Sequence, residues 1–205
     1  MSHNDLTRLA EGKMMLDNII ESGHSHQDHI DIIRYDGPKR VVDNRVEAIN
    51  GVIDLSRSVF SYKTIYARFK GDSKAVFAGS KFYYTNIIDE SLEGSNFSRS
   101  EFLRSDLGRS VFTGSDFSYS KFHGTVFNDA LFKDCSFRYV DFQFGEFVDI
   151  FYSSDWRGVD FTGTDLSWVD PKKVSEKKGF FDGCIGIDQG ILDRIKATWV
   201  RKRLF

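Results

Sequence analysis

From residue 75 to residue 147, every fifth position is large and apolar. Phe77, Phe82, Ile87, Leu92, Phe97, Phe102, Leu107, Phe112, Phe117, Phe122, Phe127, Phe132, Phe137, Phe142 and Phe147 follow without a gap. Two residues before each lies a mostly small column: Ala75, Ser80 and Thr85, then Ser at every step from Ser95 to Ser120, then Thr125, Ala130 and Cys135. Neither a helix, with a period of about 3.6, nor a flat strand, with a period of about 2, sustains such a beat. A chain that turns a corner every five residues does. Four corners close a square coil of roughly 20 residues, and coils stack at the strand spacing of ~4.8 Å. The large and the small residue of each unit point inward, and the other three point out. Each Phe then lies over a large residue one coil away. Its bulk leaves room for only a small side chain at the second inward place.

The beat starts at Ile53, with Leu55, Phe60 and Ile65 in the large column. It then carries two surplus residues before Phe77, and these predict an outward bulge over residues 68–72. After Phe147 the beat resumes one residue early at Trp156, Phe161 and Leu166, so either Phe151 or Tyr152 takes the central place. Residues 171–178 read as a polar loop, and Phe181 falls back in step. Residues 187–205 predict an amphipathic helix with Ile187, Ile191, Ile195 and Trp199 on its stripe. Residues 5–22 also predict a helix, through Leu6, Leu9, Leu16, Ile19 and Ile20. Residues 30–35 fit a short strand or a helical turn, and residues 41–50 are ambiguous, a candidate first edge of the repeat body.

Units such as Ser95-Asn96-Phe97-Ser98-Arg99, Ser105-Asp106-Leu107-Gly108-Arg109 and Ser115-Asp116-Phe117-Ser118-Tyr119 share one pattern. Each is a small residue, Asp or Asn, Leu or Phe, then two variable residues. The array resembles the pentapeptide-repeat family over about residues 53–170. The resemblance implies an all-β solenoid, a right-handed quadrilateral parallel β-helix. Departures are Glu90, Val140, Gly145 and Ile150 in the small column, and Val111, Lys121, Val126 and Leu131 in the Asp/Asn column. The expected division is a helical or extended N-terminal cap at 1–50, the β-helix at 51–186 and the C-terminal helix at 187–205. Both ends of a solenoid need capping. Family members that join end to end imply a second reading of the last helix, a homodimer contact through Ile191, Ile195, Trp199 and Phe205. The quinolone-resistance branch implies a DNA mimic that modulates a type II topoisomerase.

Charge sharpens the reading of the surface. Residues 75–170 carry a net charge of −7 and residues 171–205 carry +5. An acidic body argues against direct nucleic-acid binding and leaves room for a basic partner. Three outward columns stand out. Arg99, Tyr119 and Tyr139 share one face, a candidate contact stripe. Val111 and Leu131 form an apolar column that invites cover by a partner or by the N-terminal arm. Asp89, Asp106, Asp129, Glu146 and Asp149 make a candidate acidic face, with Arg109 among them. Ser118 is expected to point outward, so that its removal changes little.

Candidate chemistry is sparse. Residues 23–29 hold His24, His26 and His29 around Asp28, a set that can bind a metal but reads better as a polar loop. No metal, cofactor or catalytic residue is expected, and the chain is read as a non-enzymatic protein-interaction module. Cys135 and Cys184 make no disulfide framework. The polar start at Met1 to Asp5 and the lack of a long apolar run predict a cytoplasmic, membrane-free protein, with signal-free export left open.

Overall fold

A computed structural model describes residues 28–36, 39–69, 72–143, 151–176 and 179–203. The helix expected at 5–22, His24, His26, Glu146, Phe147, Asp149 and Phe205 lie outside these, as does the side chain of Trp199. The repeat body is a parallel β-solenoid of about four turns. Its longest sheet has the order β10-β9-β8-β7-β4, formed by Asp141–Gln143, Lys121–His123, Glu101–Leu103, Lys81–Tyr83 and Val59–Ser61. Phe82 pairs with Phe102, Phe102 with Phe122 and Phe122 with Phe142, so the coil repeats every fourth unit. A second pair of strands, β3 (Val52–Asp54) and β6 (Lys74–Val76), and single bridges such as Asn96 to Asp116 and Val111 to Leu131 define other sides.

The large column fills the interior. Phe77, Phe82, Phe97, Phe102, Phe117, Phe122 and Phe137 are fully buried. Their rings stack coil on coil: Phe82 on Phe102 at 4.6 Å and Phe97 on Phe117 at 4.8 Å. Phe142 continues its ladder over Phe122 at 5.5 Å but stays half-buried.

The small column does more than leave space. The Ser115 hydroxyl accepts from the Ser95 N–H at 3.0 Å and donates to the Leu92 carbonyl at 2.9 Å. Ser95, Ser105, Ser110 and Ser120 accept the corresponding N–H from Ala75, Thr85, Glu90 and Ser100. Thr85, Ser100, Ser105, Ser110, Ser120 and Thr125 each donate to a carbonyl in the coil before. Each such hydroxyl joins two coils inside the core, where an unpaired N–H is costly. Ser115→Ala is therefore expected to destabilise the protein by about 1–3 kcal/mol although it fits sterically. A lowered urea midpoint with an unchanged slope is the expected readout.

Both slips in the beat have structural causes. In the first coil partners are two residues further apart than later ones, as in Ile53 with Ala75 and Phe60 with Phe82. Residues 70 and 71 of the expected bulge lie outside the described residues. Thr64–Arg68 forms β5, which runs antiparallel to β1 (His29–Asp36), and β1 pairs in turn with β2 (Lys39–Glu47). Buried Glu90 answers the same irregularity: its carboxylate accepts the Ala67 N–H at 2.7 Å. At the second slip Trp156 stacks on Phe132 at 4.7 Å, and the bridges Leu131 to Asp155 and Ser136 to Asp160 show four extra residues in that coil. Phe151 and Tyr152 are both buried there, so the expected choice between them does not arise.

The ends are closed by different devices. Ile30 and Ile32 alternate along β1 and join the main core beside Ile53 and Leu55. Among the described residues the N-terminal cap is thus a β-hairpin: residues 30–35, read as a short strand or a helical turn, lie in the strand β1, and the ambiguous stretch 41–50 lies largely in β2. At the other end α2 (Gln189–Arg203) follows the expected helix, with the Asp188 carboxylate accepting the Gly190 N–H at 2.8 Å. The expected polar loop at 171–178 contains a short helix, α1 (Pro171–Ser175). Asp170 caps it by accepting the Lys172 N–H, and Pro171 sits at its start, a pairing of residue types that favours helix initiation.

Candidate interaction surface

The third outward residue of each unit sits in a tight corner. Arg57, Tyr62, Tyr84, Asp89, Arg99, Arg104, Arg109, Tyr119, Asp129, Asp134 and Tyr139 all hold a positive φ there, between 48° and 62°. Gly79, Gly94, Gly114 and Gly124 occupy the same place in other units. A backbone state that most residues avoid thus carries large side chains outward in columns. Within each column the side chains are spaced one coil apart.

One column stacks Arg99, Tyr119 and Tyr139. The Arg99 guanidinium lies 5.7 Å from the Tyr119 ring centre, and Tyr119 stacks on Tyr139 at 5.1 Å. Tyr119 and Tyr139 are 54% and 47% exposed, so the stack faces solvent. Below it Gly163 is needed: a Cβ there would stand 2.3 Å from the Tyr139 ring. The next corner carries a second pair, Tyr62 on Tyr84 at 4.9 Å, which the sequence reading missed. The two lie 22 positions apart, and the first slip hides them from a search at the regular coil length.

The apolar column is uneven. Val111 is half-buried, whereas Leu131 is 41% exposed and stands over Asp155.

The acidic face is thinner than its residue types suggest. Arg109 donates to Asp89 through Nε at 2.7 Å and Nη2 at 2.8 Å, a forked pair across one coil. Asp106 is not an open carboxylate. Its Oδ1 accepts the Gly108 N–H at 2.8 Å, and burial pushes its pKa above the usual carboxylate range despite that bond and nearby Arg109. A raised folded-state pKa means that stability from this group is full at acid pH and is lost as pH rises through the folded value. Asn keeps the acceptor and removes the charge. Asp106→Asn should therefore raise stability at pH 7, with the gain vanishing in acid. Urea midpoints of both proteins at neutral and acid pH give the comparison. Asp89 and Asp129 are the exposed carboxylates of the three.

The remaining titratable groups do not gather into a reactive centre among the described residues. Burial pushes the Cys135 thiol up to about 12, and its Sγ donates to the Phe112 carbonyl at 2.9 Å. Cys184 is pushed up to about 11 for the same reason and donates to the Trp156 carbonyl. His29 is buried beside Asp31 at 3.6 Å, and no group of metal-ligating residues forms among the described residues. No described helix is long and apolar enough to cross a membrane.

The C-terminal helix uses its stripe at home. Ile191 is buried in the core of its own chain and Ile195 packs against that core. An open cleft of about 860 Å³ runs between α2 and the last coil, from Leu166 to Arg194.

This architecture, a stacked coil of five-residue units with outward ladders, defines a class of repeat scaffold. A Pentapeptide repeats family model with eight copies matches residues 91–129 and 115–149. Residues 91–149, the centre of the repeat body, thus match the pattern of pentapeptide repeats. Solved structures similar to the chain include HetL, a pentapeptide repeat protein involved in heterocyst differentiation regulation from the cyanobacterium Nostoc. The two are 13% identical over 53% of this chain and 49% of HetL, with a TM-score of 0.45. QnrB1, a plasmid-mediated fluoroquinolone resistance protein, is 17% identical over 74% of this chain and 63% of its own, with a TM-score of 0.37. A pentapeptide repeat protein of the Arabidopsis thaliana thylakoid lumen is 19% identical over 72% of this chain and 89% of its own, with a TM-score of 0.29. The chain spans about half the length of HetL. No curated protein sequence matches it.

Proposed function

We propose that the chain is a non-enzymatic interaction module, a stiff rod that presents side-chain ladders to a protein partner. The observation that carries this is the exposed Arg99, Tyr119 and Tyr139 stack. Tyr and Arg dominate the energetics of protein interfaces. Rings already ordered by stacking lose little freedom when a partner covers them. The test is capture from native lysate on immobilised full-length protein, run beside a Tyr119→Ser/Tyr139→Ser variant. A polypeptide held by the parent and lost with the variant supports the stripe. Identical captured sets for both proteins would sink it.

The DNA-mimic alternative has less support. It needs a continuous row of carboxylates, and Asp89 is neutralised by Arg109 while Asp106 is half-buried. Gyrase supercoiling and its inhibition by quinolones are expected to be unchanged by micromolar protein. Relief of drug inhibition at that concentration would restore the mimic. A homodimer through α2 is likewise weakened by the burial of Ile191.

A further inference from the structure

The second slip leaves a notch in the side of the rod. Where the coil takes four extra residues, a cavity of about 400 Å³ opens between two coils. That volume is at the low end for a small-ligand site. One wall is Leu131, 41% exposed, with Ala130 beside it and Trp156 and Phe180 further in. The rim is polar. Asp129 stands at one side, and its backbone N–H donates to the Ser153 hydroxyl at 3.3 Å. Asp155 stands at the other, already held by Arg157 through Nε at 2.9 Å and through Nη2.

Charge in this notch does not balance. In the corner column Asp89, Arg109 and Asp129 alternate in sign, and Arg109 turns both Nε and Nη2 toward Asp89. Among the described residues the Asp129 carboxylate has neither a hydrogen bond nor an ion pair. An apolar wall ending in a carboxylate that no hydrogen bond or ion pair holds suits one kind of side chain: an apolar stem with a cationic head. A planar guanidinium can take both carboxylate oxygens at once, which an ammonium cannot.

We propose that the notch is a binding site for an arginine side chain of a protein partner, its methylenes on Leu131 and its guanidinium on Asp129. The proposal rests on the reading of the chain as an interaction module and names the chemistry that one part of its partner supplies.

The test is a chemical-shift titration of the isotope-labelled full chain with Nα-acetyl-arginine methylamide. Its neutral isostere, the citrulline analogue, and the norleucine analogue serve as controls. The arginine probe should move the amides of Leu131, Ser153 and Ser154 with a millimolar dissociation constant, and the controls should bind about tenfold more weakly. Asp129→Asn should remove the preference for arginine while leaving the rest of the spectrum in place, because Asn tolerates the positive φ at this corner. Equal shifts from the arginine and citrulline probes would overturn the proposal. So would arginine shifts scattered along the other acidic columns and unchanged in Asp129→Asn, or an absence of shifts. These outcomes leave the lysate comparison on Tyr119 and Tyr139 untouched, so failure of the notch and failure of the module are told apart.

Discussion

Phe117→Ala lowers stability by about 3–5 kcal/mol, the upper range for removing a buried aromatic ring. Phe117 is fully buried. It lies between Phe97 at 4.8 Å and Phe137 at 4.9 Å, with the edges of Phe112 and Phe132 against it at 5.4 and 5.7 Å. The cost is large because the hole cannot close. Backbone bonds from Phe97 to Asp116 and from Phe117 to Ser136 hold the coils at fixed spacing, and hydroxyl bridges hold them again inside. Ser118→Ala is the control, and here the outward assignment from sequence needs correction. Ser118 is buried, and its hydroxyl lies 2.7 Å from that of Ser136. Its loss should cost about 1 kcal/mol, the worth of one hydrogen bond. Urea unfolding of the two variants decides the matter: equal midpoints would contradict the inward placement of the large column.

The five-residue beat made the coil legible because each unit repeats one physical task. A Phe must fill the centre, and its neighbour two positions back must be small. The sequence reading explained Ser by volume alone. Ala would satisfy volume equally well, so the run from Ser95 to Ser120 already signalled a need for hydroxyls. The two hydrogen bonds that such a hydroxyl makes to the previous coil, one accepted and one donated, supply that need. Irregular segments were harder, because their partners lie far off at unpredictable spacing. Glu90 looked like a break in the small column, yet it serves an N–H at Ala67, more than a coil away. The N-terminal hairpin escaped detection because Ile30, Ile32 and Ile33 are all buried, on both faces of a central strand, which erases clean alternation.

Surface columns were legible wherever the coil length is regular. Arg99, Tyr119 and Tyr139 come together as their spacing requires. The pair of Asp89 and Arg109 follows from the same spacing, and its effect on the acidic face could have been drawn from sequence. Tyr62 with Tyr84 and the notch beside Leu131 could not, since each depends on how a slip is absorbed. Irregular coils are therefore where this scaffold acquires features that its repeat does not dictate.

Arg45→Ala should cost about 3 kcal/mol, the penalty for leaving one partner of a buried ion pair behind. Asp31 is fully buried on the central strand of the N-terminal sheet. Arg45 lies directly opposite it in the register of β1 and β2, and donates through Nε at 2.6 Å and Nη2 at 3.1 Å. Its side chain keeps 32% exposure, so water can offset part of the loss, and the cost stays below that of a fully enclosed pair. The consequence reaches beyond stability. The hairpin pairs with β5 and adds Ile30 and Ile32 to the main core, and loosening it exposes an apolar solenoid end with unpaired backbone groups. Arg45→Ala should thus unfold at lower urea and also scatter more light at high concentration. Asp31→Leu combined with Arg45→Met removes the charge problem at similar volume, and should recover the parent midpoint or exceed it. If Arg45→Ala costs less than about 1 kcal/mol, the pair behaves as a surface ion pair and the hairpin is held on the rod by its isoleucines and its pairing with β5.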